Sequence, residues 1–434
     1  MNSFSVSFLK LPILGSLLLG GATAVQGAEA PPPVTLDALV EETLSQNPEL
    51  RFFEAEIASA KGGRRQAGIY ANPELSADVG TKRMRGAGFS SEGTAWSVSV
   101  VQTFEYPGRI ALRKAIANRD IQLAELGFAQ FQAALRARAR MLGYNLRVAQ
   151  RRAEATSAVA DRLQELLSFL VQREPAGITP LIELRIVEAS VATFRKQAIE
   201  ASQALQSALF QVNLLRGKPL GTPLRIADAT LELPPPPEME SLLAAARQDN
   251  FEIRMRIAEL EQQGLKASLS RNQRWPEIAV GPFMSRESAG DRETVAGVGI
   301  SLPLPLWNRN AGNIDIERAR HEQAETSLFL TQLNVEQAVM EHYLAYRLNV
   351  EELQRWQESS IERFHEAAEL GDRHYRLGSL PIATYIELQR EFLDALDSIL
   401  SLQAEALAAQ QQLEILTGVP LGDAGSPTSQ PQTK

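Results

Sequence analysis

Cysteine does not occur anywhere in the 434 residues. Its absence excludes a disulfide framework, a thiolate metal site and an acylated cysteine anchor. Aromatic residues make up only 6% of the chain, fewer than densely packed globular cores use; Ala, Leu, Gln, Glu and Arg fill the space instead, a long-helix composition. A surplus of positive charge is lacking too. The net charge of −8 argues against nucleic acid as a partner, because phosphate-binding surfaces are basic. Beyond the N-terminus no stretch holds about 18 uninterrupted apolar residues, so no transmembrane α-helix is expected.

Catalytic signatures are missing as well. The four histidines, His321, His342, His365 and His374, share no i,i+3 or i,i+4 spacing, and no HExxH pattern exists. GxGxxG, P-loop and GxSxG motifs are also absent. The expectation is a protein with no cofactor, no metal centre and no enzymatic activity. Arg136, Arg138 and Arg140 fall on different helix faces and read as solvated.

What is present begins at the N-terminus. Lys10 precedes "LPILGSLLLGGATAV", a short apolar run ending in small residues, with Val25 and Gly27 placed before Ala28 for cleavage. This is a secretory signal pattern over residues 1–28, too short to span a membrane. An exported chain of this kind is either periplasmic or crosses a membrane as a β-barrel.

The rest of the chain is written twice. "NPEL" at 47–50 faces "NFEI" at 250–253, and "NPELSADVG" at 72–80 faces "WPEIAVG" at 275–281, both at an offset of 203. "SVSVVQTF" at 97–104 and Arg109 face "GVGISLPL" at 297–304 and Arg309, at an offset of 200. Gly177 and Pro180 face Gly378 and Pro381, and "LRGKPLG" at 215–221 faces "LTGVPLG" at 416–422, at an offset of 201. Six collinear matches with so little drift indicate a direct tandem duplication. The repeats span 29–230 and 239–422, joined by a Pro-rich linker at 231–238 and followed by a disordered tail at 423–434.

Proline placement draws the helices. None occurs between Pro107 and Pro175, nor between Pro305 and Pro381, and both windows are rich in helix formers. Each window predicts one very long helix, followed by a Gly/Pro turn and a shorter helix back. The helical hairpins cover about 109–216 and 309–417, giving four long-helix elements. Shorter helices are expected at about Leu36–Gln46, Pro48–Tyr70, Met239–Gln248 and Asn250–Gln273. Upstream of each long helix the period changes to two. Trp96, Val98, Val100, Gln102 and Phe104 alternate with Ser97, Ser99, Val101 and Thr103, and Val298, Ile300, Leu302 and Leu304 alternate with Gly297, Gly299, Ser301 and Pro303. Two β-hairpins follow, at about 74–104 and 277–304, with strands long enough to cross a bilayer obliquely. Trp96, Trp275 and Trp307 stand at their ends, where interface aromatics are found.

Four strands cannot sit open in hydrocarbon, because every backbone donor and acceptor there needs a partner. Two copies would give eight strands and a filled interior; three give twelve and a lumen. The alternative is a soluble periplasmic coiled-coil adaptor or scaffold carrying edge-protected hairpins.

The tandem order, with "LSQNPEL", "ANPELSADVG", "YRLGSLPIATYIELQRE" and "LTGVPLG" in their places, resembles the TolC-type outer-membrane efflux proteins from about Leu36 to Gly422. "QTFEYPGRIALRKAIA" is most similar to their heavy-metal, CzcC- and CusC-like branch. The resemblance implies a mainly α fold with membrane β: a homotrimer in outer-membrane lipid, with a 12-stranded β-barrel continued by a periplasmic α-helical barrel. It implies a passive exit duct served by a periplasmic adaptor and an inner-membrane RND-type pump. Metal cations are the expected cargo; a drug or small-molecule duct is the alternative. The turns carrying Gly177, Pro180, Gly378 and Pro381 would be adaptor-docking tips. Tyr375, three residues before Gly378, matches a tyrosine that helps close the tunnel, and Glu183 and Glu387 match acidic residues lining the closed end. Carboxylates converging on a three-fold axis repel, so Arg185 and Arg390 are candidate partners. The family's arginine two residues after the second tip glycine is Leu380 here.

Overall fold

A computed structural model describes residues 32–86, 88–173, 181–228, 231, 233–356 and 359–421. The signal segment, Gly177, Pro180 and the tail at 423–434 lie outside the described residues. Every element below belongs to the unit from Pro33 onward.

The first half opens with α1 (Leu36–Gln46), capped by the Thr35 hydroxyl, which accepts the Ala38 N–H at 3.3 Å, and continues with α2 (Leu50–Ala67). Strands β1 (Glu74–Gly86) and β2 (Phe89–Phe104) follow, then α3 (Arg109–Arg173) and α4 (Leu181–Leu215). With 65 residues, α3 is about 98 Å long at 1.5 Å per residue. The second half repeats the order with α5 (Met239–Asp249), α6 (Phe251–Asn272), β3 (Ile278–Ala289), β4 (Asp291–Ser301), α7 (Ala311–Arg355), α8 (Ser359–Arg376) and α9 (Ile382–Thr417).

One long helix expected from the proline-free windows is broken. α7 ends at Trp356, whose backbone is extended (φ −92, ψ 101), and α8 begins at Ser359. Neither Pro nor Gly marks the break. Trp356 instead packs its ring 6.3 Å from Phe364 on α8, and its indole N–H reaches Glu352 at 3.0 Å. Helix propensity alone is a weak force against such tertiary packing. β4 also stops at Ser301, short of Leu304, because Pro303 has no N–H to give a ladder.

The four strands form one antiparallel sheet in the order β1-β2-β3-β4. Its central seam joins the halves, with Trp96 opposite Arg286, Val98 opposite Met284 and Phe104 opposite Ile278.

Duplication persists in the core. Leu39, Leu135, Ala139, Leu146 and Val212 of the first half are buried, as are their counterparts Leu242, Val335, Val339, Tyr346 and Leu413. So are the tethers between helices. Asn47 Nδ2 donates to the Leu215 carbonyl at 2.9 Å, and Asn250 Nδ2 to the Leu416 carbonyl at 2.8 Å. Asn250 also caps α6 by accepting the Ile253 N–H at 3.0 Å, while Asn47 accepts the Glu49 N–H, just ahead of α2, at 2.8 Å. Gly217 and Gly418 sit just past the ends of α4 and α9 at φ +65 and +70. That left-handed turn ends each returning helix.

Candidate functional site: the sheet and the helical tips

Strand register sorts the sheet into two unlike faces. On one face Leu75, Val100, Pro282 and Val298 stand in a row, next to Ala77, Val98, Met284 and Ala296. The row beyond holds Gln102, Val280 and Ile300, and Phe104 with Ile278 extends the band, which measures about 26 Å from Trp96 to Phe104 at 3.3 Å per residue. Nothing among the described residues covers it. Val79 is 86% exposed and Ile300 74%. An uncovered apolar band of this height matches the hydrocarbon region of an outer membrane.

The opposite face is mostly polar and small, with Val101, Phe283 and Val295 as its larger apolar members. It carries Ser76, Asp78, Gly80, Ser97, Ser99, Gly281, Ser285, Gly297 and Gly299. Five carboxylates, Glu74, Asp78, Glu287, Asp291 and Glu293, share it with one lysine, Lys82, for a net charge of −4. Asp78 accepts a hydrogen bond from the Ser97 hydroxyl at 2.8 Å. Lys82 reaches past Gly93 on β2 to pair with Glu287 on β3. A side chain at position 93 could not fit, since a Cβ there would fall 1.3 Å from the Ser288 carbonyl oxygen.

Arg109 locks the junction of sheet and helices. At the start of α3, with its side chain 7% exposed, it pairs with Glu277 and donates to the Trp275 carbonyl at 2.8 Å and to Asn272 at 3.2 Å. All three partners lie in the second half. Arg113, one turn later, serves its own half, donating to Glu105 at 2.5 Å and to the Ala67 carbonyl at 3.3 Å. Tyr106 stacks on Trp275 at 5.5 Å, and Trp307 stands almost fully exposed nearby in sequence to β4. The sequence matched Arg109 to Arg309, but partners 163 to 168 residues away leave no local signal.

At the opposite ends of the long helices one cluster gathers four of them. Leu163, Leu166 and Leu170 of α3 meet Leu184 and Val187 of α4, Ala368 of α8 and Ile382, Tyr385 and Ile386 of α9. Gly378 adopts φ +72 and its N–H bonds the Tyr375 carbonyl at 2.9 Å. Pro381 then caps α9 in an extended conformation. Tyr375 is half-buried and stacks on the buried Tyr385 at 5.5 Å and 16°. Burial first, and the Asp372 carboxylate second, hold the Tyr385 hydroxyl well above the ordinary tyrosine range. Glu183 lies half-buried in the first turn of α4. Arg185 pairs with Glu188 at 2.6 Å, and Arg390 pairs with Glu387 at 3.1 Å on an exposed face. Leu380 packs against the cluster. Among the described residues no group of three His, Asp or Glu side chains is placed to hold a metal ion.

Sequence reading missed a second clamp. Arg216 and Lys218 of "LRGKPLG" both bind Glu42 on α1, Arg216 at 2.8 Å. Burial works to raise the Glu42 pKa, but hydrogen bonds from Lys218 and Arg216 outweigh it and hold the carboxyl below its ordinary value. Two positive charges in the motif were the available signal; their acidic partner on α1 was not.

Known proteins share this organisation. The family model for outer membrane efflux proteins matches residues 39–218 and 242–419, one stretch per half. The cobalt-zinc-cadmium resistance protein CzcC of Cupriavidus metallidurans is 25% identical over 310 residues, covering 70% of this chain and 72% of that one. The pyoverdine export outer membrane protein OpmQ of Pseudomonas aeruginosa is 24% identical over 404 residues, covering 86% and 83%. Among solved structures, the Campylobacter jejuni CmeC outer membrane channel superposes with a TM-score of 0.71 at 13% identity, covering 94% of each chain. CusC superposes with a TM-score of 0.69 at 15% identity, covering 89% and 92%.

Proposed function

This chain belongs to the outer membrane efflux protein family, and from that premise we propose that three copies form a passive exit duct for metal cations. A member of this family is a transport duct, not an enzyme. The observation that carries the trimer is the sheet: four strands, an uncovered apolar face and two outer strands with unpaired edges. Such a sheet is stable in hydrocarbon only when closed, and twelve strands close around water. The apolar face then meets lipid and the polar face lines the lumen.

Cargo follows from the lumen charge. Three copies put a net −12 on the strand lining, and rings of carboxylates concentrate cations and repel anions. The likeness to CzcC agrees with this; the likeness to OpmQ supports a second reading, export of a small organic molecule. The duct itself holds no energy source, so an inner-membrane pump of the RND type and a periplasmic adaptor complete the system. Gly177, Pro180, Gly378 and Pro381 form the tips that meet the adaptor. Tyr375, Glu183, Glu387, Arg185 and Arg390 form the gate, where acidic rings narrow around the three-fold axis and their arginines offset the repulsion.

Deleting the gene and measuring tolerance to zinc, cobalt, cadmium and copper tests the cargo. Loss of tolerance to at least one metal is the expected result. Unchanged tolerance to all four, with new sensitivity to organic compounds, would replace the metal reading with the second one. Heat-modifiable trimers in the outer-membrane fraction test the assembly.

A further inference from the structure

Arg109 binds the entry to β3, and the repeat gives it a twin whose matching partner is missing. Arg309 stands at the same corner before α7, exposed, with no hydrogen bond or ion pair among the described residues. The residues that Arg109 grips in the second half, Trp275 and Glu277, correspond at an offset of 203 to Asn72 and Glu74 in the first. Both are exposed, and Glu74 likewise has no ionic partner there. Within one chain these twins stand on opposite outer strands, Glu74 opening β1 and Arg309 following β4.

The helices tell the same story. α6 packs against both α3 and α7 and buries Ile253, Ala258, Gln262 and Ser270. Its twin α2 packs against α3 and buries none of its 18 residues, leaving Phe52 exposed, as is Ile69 just past its end. The row α2-α3-α6-α7 therefore runs parallel to the row β1-β2-β3-β4, and both end in uncovered faces on the same two sides.

We infer that Arg309 of one copy binds Glu74 and the Asn72 backbone carbonyl of the next, repeating between chains the clamp that Arg109 makes within one. α7 of the first copy then covers α2 of the second as it covers α6 inside the chain. Opposite charges meet at the seam, and the uncovered α2 face gains its neighbour. The third Arg109 contact is not repeated, because the twin of Asn272 is Ile69, which has no side-chain acceptor. This inference rests on the proposed trimer.

Charge reversal tests it in membrane extracts of the full chain. Arg309→Glu and Glu74→Arg should each lower the SDS-resistant trimer about tenfold, and the two together should restore it to about half of wild type or more. Because the chain has no cysteine, Arg309→Cys with Glu74→Cys gives a second measurement. A short bis-maleimide should link that double variant into covalent dimers and trimers, while each single variant stays unlinked. Wild-type trimers combined with unaffected reversals and no cross-link would overturn the clamp and leave the trimer standing. A wild-type chain that is monomeric in the membrane would overturn both.

Discussion

α4 and α9 are copies of one element, 35 and 36 residues long, yet they live in different surroundings. α9 lies among α3, α7 and α8 and buries 15 of its residues; α4 lies against α3 and buries seven. Ile199 and Leu214 of α4 are 59% and 66% exposed, whereas their twins in α9, Leu400 and Ile415, are buried and half-buried. The sequences do not explain the gap, since both helices are equally rich in apolar residues. Position does. The returning helix of the second half is interior to the chain, and that of the first half is its border.

The comparison can be broken from the largest effect down. Leu413→Ala should destabilise the chain by about 2–5 kcal/mol in denaturant unfolding, while Leu214→Ala should stay within about 0.5 kcal/mol in the monomer. A large loss at Leu214 in the monomer would mean that α4 is not a border. Asn47→Ala and Asn250→Ala each remove a tether and an acceptor for a backbone N–H two or three residues on, and each should cost about 1–2 kcal/mol. Here the halves should behave alike, and unequal losses would show that the tether is not a shared device. Ile199→Asp should leave monomer unfolding unchanged but reduce the SDS-resistant trimer about tenfold, a free energy of about 1.4 kcal/mol. The smallest effect separates the halves again, because the twins of Glu42, Arg216 and Lys218 are Ala245, Thr417 and Val419. Glu42 has a lowered pKa when folded, so its contribution is full above the unfolded carboxylate value near pH 4.5 and is lost as pH falls through the folded value. Glu42→Gln should therefore lower stability by about 1 kcal/mol at pH 7 and show a weaker decline in acid below pH 4.5.

Much of this architecture was legible because it depends on local rules. Strands announced themselves through period-two alternation around Val98 and Ile300, and α3 through 67 residues without proline. The break after Arg355 escaped because neither Pro nor Gly writes it; Ser359-x-x-Glu362 was the one trace, a capping-box spacing in the midst of a helical pattern. The lumen charge could have been counted from strand parity, since Glu74, Asp78, Asp291 and Glu293 all alternate with the apolar positions. What no local pattern carries is pairing across the duplication. Arg109 and Arg309 look alike in sequence, and only the folded order of elements assigns one a partner inside the chain and the other a partner outside it.

The hairpins reverse direction with almost no connecting chain: β1 passes to β2 between Gly86 and Phe89, and β3 to β4 at Gly290, where φ is +94. In the proposed trimer the outer rim would carry six tight corners, with no long loop among the described residues of either hairpin. Bacteriophages, antibodies and protein toxins that grip surface loops would find little to hold. For a duct that only releases material, a bare rim costs nothing in function and removes a common point of attack.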